Sequence, residues 1–147
     1  MASRYQPPPI IKACERLLVD IEQAVRRFPR YHRYQVGADL RQQARRTYNA
    51  ANRAWRERDR TRYWVARLVW QVDELKQEIQ TAKLLRAFGS FRQFEHLARQ
   101  ADALGAQAGG WHRQQQHPKA QSAQARSGVV QRGQKLSTRA APEGAKS

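Results

Sequence analysis

The chain has 147 residues, enough for one domain, and its 28 Lys and Arg against 12 Asp and Glu give a net charge of +16. So large a cationic excess opposes compaction and self-association and points to an anionic partner, with nucleic acid ahead of an acidic membrane or protein. A single cysteine, Cys14, excludes an intramolecular disulfide, and no run approaches the ~20 apolar residues of a membrane span, so a reduced, cytoplasmic protein is expected.

Residues 1–9, MASRYQPPP, read as a frayed polar lead-in without the apolar core of a signal peptide. Pro9 suits the first turn of a helix, where its missing N–H costs nothing. Ile10, Cys14, Leu17, Ile21, Val25 and Phe28 then recur at steps of three and four, widened by Ile11 and Leu18. That pattern predicts an amphipathic helix ended by Pro29, because a residue before proline disfavours the α region.

A second helix is expected from near Tyr34 to about Arg58. Val36, Leu40, Ala44, Thr47, Ala51 and Ala54 give it a narrow seam of small apolar groups. Arg41, Arg45, Asn49, Asn52 and Arg56 make a second stripe, and Arg46, Arg53 and Arg60 a third. Between Arg30 and Arg62 the chain holds ten Arg and three acids. Asp59 is the expected N-cap of a third helix; without that break, helices two and three would fuse into one rod. The third helix carries Val65, Leu68, Val72, Leu75, Ile79 and Ala82 on one face.

Phe88-Gly89-Ser90-Phe91 is the clearest punctuation. Gly89 is the expected left-handed residue closing the third helix, and Ser90 with Gln93 fits a capping box opening a fourth. Phe94, Leu97, Ala101, Leu104, Ala108 and Trp111 continue the period, with Gly109-Gly110 expected to loosen the end. Residues 114–147 are poor in large apolar groups, rich in Lys and Arg, and expected to be disordered. The implied fold is all-α: an antiparallel up-down four-helix bundle over residues 10–113 with a basic tail. Trp55, Trp64, Trp70 and Trp111 are candidates for an oligomer or partner interface, where aromatics are enriched.

Catalytic chemistry finds no foothold. His32, His96, His112 and His117 are dispersed, with no HExxH and no Cys–His cluster, so no metal site or cofactor is expected. His96 reads as a surface or helix-packing residue, and Cys14 as a small buried hydrophobe. Phosphate contact is the better use of these residues, since the guanidinium fork matches phosphate oxygens. Arg41, Arg45, Arg46, Arg53, Arg56, Arg58, Arg60 and Arg62 are the candidate nucleic-acid-binding set.

Two stretches also carry a resemblance. Phe28-Pro29 with Gly37, in FPRYHRYQVG, resembles the junction between the first two helices of the small four-helix bundle protein superfamily. Ser90-Phe91, Gln93-Phe94-Glu95-His96, Gly105 and Gly109-Gly110-Trp111 resemble the last helix of one branch, the accessory variability determinant proteins of diversity-generating retroelements. Ala103 and Ala106 depart from that pattern, so a salt bridge expected around Gly105 is missing. The resemblance implies a homopentamer with a basic exterior, partnered with the retroelement's reverse transcriptase and its template-repeat RNA or the cDNA copied from it. It implies support of mutagenic cDNA synthesis and no catalysis by this chain. A sister branch, encoded in intervening sequences of ribosomal RNA genes, shares the first motif and implies a structural oligomer without a retroelement partner.

Overall fold

A computed structural model of the chain describes residues 6–116. Of the lead-in expected over residues 1–9, residues 1–5 lie outside the described residues, as do residues 117–147 of the tail expected over 114–147; residues 114–116 are helical instead. Within them the fold is all-helical: α1 Pro9–Arg26, a short α2 Arg30–Arg33, α3 Val36–Arg56, α4 Thr61–Leu84 and α5 Phe91–Gln116, with a single 3₁₀ turn at Arg58–Arg60.

Pro8 caps α1 and Pro9 is its first residue, with the Ile11 amide donating to the Pro8 carbonyl at 2.9 Å. The expected stripe of α1 is buried except for the half-buried Leu18, and Ile21 and Val25 are shut off from solvent completely. Full burial of such a side chain is worth about 1.5–3 kcal/mol. Pro29 does more than terminate. Its carbonyl accepts from the amides of His32 and Arg33, which winds the extra turn α2 that the periodicity did not indicate. The start of the next long helix therefore moves from Tyr34 to Val36. Gly37 lets this first turn lie against the end of α1, since a Cβ there would stand 2.6 Å from Val25 Cγ1.

All six seam residues of α3 are buried, and Gly37, Gln43 and Ala50 join them. Gln43 is the exception in kind: its amide donates to the carbonyl and side-chain oxygens of Gln71 at 3.0 and 2.7 Å. Beside it, the Thr47 hydroxyl donates to the Gln43 carbonyl at 2.9 Å. These bonds satisfy polar groups that burial would otherwise leave stranded, and they fix the register of α3 on α4.

The stripe of α4, a helix of 24 residues and so ~36 Å long, is buried throughout. On α5, Phe94, Leu97, Ala101, Leu104 and Ala108 are buried in the same core. Three local expectations are corrected. Asp59 caps nothing: it lies inside the 3₁₀ turn, and Arg60 precedes α4 without a side-chain bond. The left-handed residue after α4 is Arg86, at φ 59°, and not Gly89. Gly109-Gly110 do not break α5, which runs on to Gln116 because Ala108 and Trp111 anchor that end to the core.

Candidate nucleic-acid interface

On α3 the buried seam faces α1 and α4, which leaves the other side of the cylinder to its arginines. Arg45, Asn49 and Arg56 form the outermost line, spaced by whole turns, and all three are exposed. From Arg45 to Arg56 the line covers ~16 Å. Arg45 also borders a shallow groove shared with α1, lined by Leu18, Val19, Glu22 and Arg41.

The eight candidate arginines fall into distinct groups. Arg41 is held bidentately by Glu22 of α1 at 2.8 and 2.9 Å, so its fork is already filled. Arg53 donates to Glu57 at 2.6 Å and lies over the Trp64 ring, 4.4 Å from its centroid. Arg60 lies over Tyr63 at 4.7 Å. Arg62 is exposed at the start of α4. Arg45, Arg46, Arg56 and Arg58 are exposed, and among the described residues no ion pair engages them. Those four are the guanidiniums available to an incoming phosphate.

The turn between α3 and α4 gathers Arg56, Arg58, Arg60 and Arg62 at one end of the helix pair. Thr61 closes it: its hydroxyl sits 3.0 Å from the Ala54 carbonyl, with those of Arg58 and Glu57 at 3.2 and 3.3 Å. Glu57 is wired into this cluster: it accepts from Arg53 and, at 3.2 Å, from the Trp64 indole N–H. The hydrogen bond from Arg53 holds the Glu57 carboxyl below its ordinary value of 4.5, against a smaller opposing effect of desolvation. Trp64 and Arg60 reinforce the same direction.

Of the four candidate interface tryptophans, Trp55, Trp64 and Trp111 are half-buried against the core, and Trp70 is 54% exposed. Trp111 also lines a cleft with Pro8, Pro9 and Ile10, where α5 meets the start of α1. Arg67 was not singled out by its sequence position, yet its guanidinium lies 5.5 Å from the Trp70 ring centroid. The signal was present as a repeat: an arginine three residues before an aromatic, at Arg60–Tyr63 and again at Arg67–Trp70.

Among the described residues no three His, Cys, Asp or Glu side chains converge. His96 meets Asp20 of α1 at 3.1 Å and is 61% exposed, a surface tie between helices. Burial, with Glu15 adding to it, pushes the Cys14 thiol up to about 12, so it stays protonated and unreactive at neutral pH. No helix among the described residues is long and apolar enough to cross a membrane. No protein-family model, curated protein or solved structure matches this chain.

Proposed function

We propose that this protein is a non-catalytic nucleic-acid-binding subunit that holds RNA, or the cDNA copied from it, for a reverse transcriptase of a diversity-generating retroelement. The observation that carries the binding role is the set of four exposed guanidiniums, Arg45, Arg46, Arg56 and Arg58, which have no carboxylate partner among the described residues. Leaving like charges clustered in water brings no stability of its own, whereas phosphates that neutralise them release counterions and gain affinity. The choice of a retroelement enzyme as partner rests on the resemblance carried by Phe28-Pro29, Gly37 and the Ser90–Trp111 stretch.

The scaffold in this reading is an antiparallel up-down bundle, assembled further into a homopentamer. Contacts that run in opposite chain directions support the first part: Glu22 meets Arg41 while the earlier Glu15 meets the later Tyr48. Likewise Gln71 meets Gln43, while the earlier Trp64 lies against the later Arg53.

Replacing Arg45, Arg46, Arg56 and Arg58 together by Gln tests the binding role. RNA affinity, followed by fluorescence anisotropy across a salt series, is expected to fall, with the slope of log K against log salt reduced by about 3. Helicity is expected to be unchanged, because none of the four contributes to the core. Wild-type affinity and slope in this variant would refute the site. Co-purification of the intact protein with the reverse transcriptase tests the partner, and light scattering tests the pentamer.

A further inference from the structure

We propose that the outward line of α4 bearing Tyr63 and Trp70 is a stacking platform for unpaired bases, so that the nucleic acid this protein grips is single-stranded. The inference rests on the binding role argued above and narrows its ligand.

Tyr63 and Trp70 are 48% and 54% exposed, whereas the other three tryptophans are packed against the core. Seven residues separate them. That is nearly two full turns, so both rings project from the same side of α4, ~10.5 Å apart along its axis. Each has a guanidinium over it, Arg60 at 4.7 Å and Arg67 at 5.5 Å. The Nε of Arg67 is shielded from solvent without a hydrogen-bond partner, an unsatisfied donor beside the Trp70 ring.

Two features choose the occupant. A ring layered with a guanidinium offers a base two planar surfaces, and stacking of this kind is indifferent to sequence. Both bases of a duplex pair are already stacked and paired, so only an unpaired strand can use it. The charge around the rings is also predominantly positive. Arg58, Arg60 and Arg62 adjoin Tyr63 with one exposed acid, Asp59, among them, and Arg67 adjoins Trp70, with further exposed carboxylates beyond, at Asp73 and Glu74. A phosphate chain is attracted along this line up to Trp70 and repelled past it. A second copy of the chain meeting the same face about a two-fold axis would instead set these cations against one another. The contacts of a ring join two different faces, and the assembly-mass test below addresses them. The ~10.5 Å gap equals about three base rises of 3.4 Å, so the two rings address bases that are not neighbours.

The test uses the full chain with an unpaired oligonucleotide of roughly a dozen nucleotides, and a duplex of equal length as the control. Trp70→Ala is expected to weaken single-strand binding roughly 5- to 100-fold, to leave duplex binding and the salt slope unchanged, and to remove most of the tryptophan quenching seen on binding. Tyr63→Ala should act in the same direction, and Trp70→Phe should restore most of the affinity. Equal binding of single strands by Trp70→Ala and wild type overturns the platform, as does a parallel loss on the duplex. A drop in assembly mass on light scattering in Trp70→Ala also overturns it, since the ring would then serve a subunit contact. If the wild-type chain binds neither oligonucleotide, the binding role itself falls. If it binds both equally and Trp70→Ala changes nothing, the role stands and the platform alone is lost.

Discussion

The two turns that bracket α4 are built by opposite means. At its far end, residues 85–90 close through apolar contact. The Ala87 amide donates to Ala82 and the Arg86 amide to Lys83, a Schellman arrangement that carries Ala87 into the core. Phe88 then stands edge-on to Phe28 of the α1 end at 5.3 Å and to Phe94 of α5 at 5.8 Å. Lys83 lies over the Phe94 ring at 4.7 Å. At its near end, residues 57–61 close through polar bonds around Glu57 and Thr61, with arginines directed outward. One turn joins three helices and supplies stability. The other joins two and leaves Arg56 and Arg58 exposed without an ion pair among the described residues. A small helical protein can thus confine cohesion to one end and leave the other to an electrostatic task.

The sharpest way to break this contrast is to remove the aromatic that ties the apolar end together. Phe28 is fully buried and touches Phe88, so Phe28→Ala is expected to cost about 3–5 kcal/mol in urea unfolding. Oligonucleotide affinity of the fraction still folded should change little, because the arginine turn lies at the other end of α4. A smaller change sharpens the contrast in the opposite direction. Arg86 holds φ 59°, a left-handed conformation that costs a side chain with a Cβ about 1–2 kcal/mol. Glycine removes that strain but loses more entropy on folding, so Arg86→Gly should stabilise by about 0.5–1 kcal/mol, read as a raised urea midpoint with unchanged m. The full α4–α5 turn should survive, since its hydrogen bonds are made by the backbone.

How much of this was legible in the chain depends on whether a feature is local. The apolar stripes of α1, α3, α4 and α5 were readable because steps of three and four place residues on one face whatever surrounds them. The capping box was local too: Ser90 Oγ accepts from the Gln93 amide at 3.2 Å, and the Gln93 side chain reaches back to the Gly89 amide. Gln43 was hidden because an amide at a seam position looks like surface until Gln71 is known to sit opposite. Arg41 looked as free as Arg45, and its pairing with Glu22, 19 residues away, follows only from how α1 and α3 pack. Gly89 and Asp59 were reasonable by residue type. Packing of Ala87 instead moved the left-handed position to Arg86, and the α3–α4 turn closes through the Thr61 hydroxyl on carbonyls, with no side-chain cap on α4. The exposed arginines were legible as a charge excess, but which of them remain unpaired was not.

The gentlest probe of the contrast is pH. Glu57 is held below its ordinary 4.5 chiefly by the Arg53 hydrogen bond. Its folded form therefore binds protons less readily than the unfolded chain does. The stabilising contribution is fully present above pH 4.5 and is lost as pH falls through the lower folded value. The effect should be small, because Arg53 and Glu57 both face solvent. It should nonetheless have a local signature. Protonation weakens the acceptor shared by Arg53 and the Trp64 indole, so Trp64 emission should shift in that acid window before the helical signal changes. Glu57→Gln should remove the shift. At neutral pH the same variant should bind oligonucleotides at least as tightly as wild type, since it subtracts a carboxylate from the cluster and frees Arg53 to meet phosphate. The apolar turn, residues 85–90, carries Arg86 as its one charged residue and has no acid of its own to titrate. A shift of equal size persisting in Glu57→Gln would show that the two ends of α4 respond to acid together, and that the division of labour between them is not electrostatic in origin.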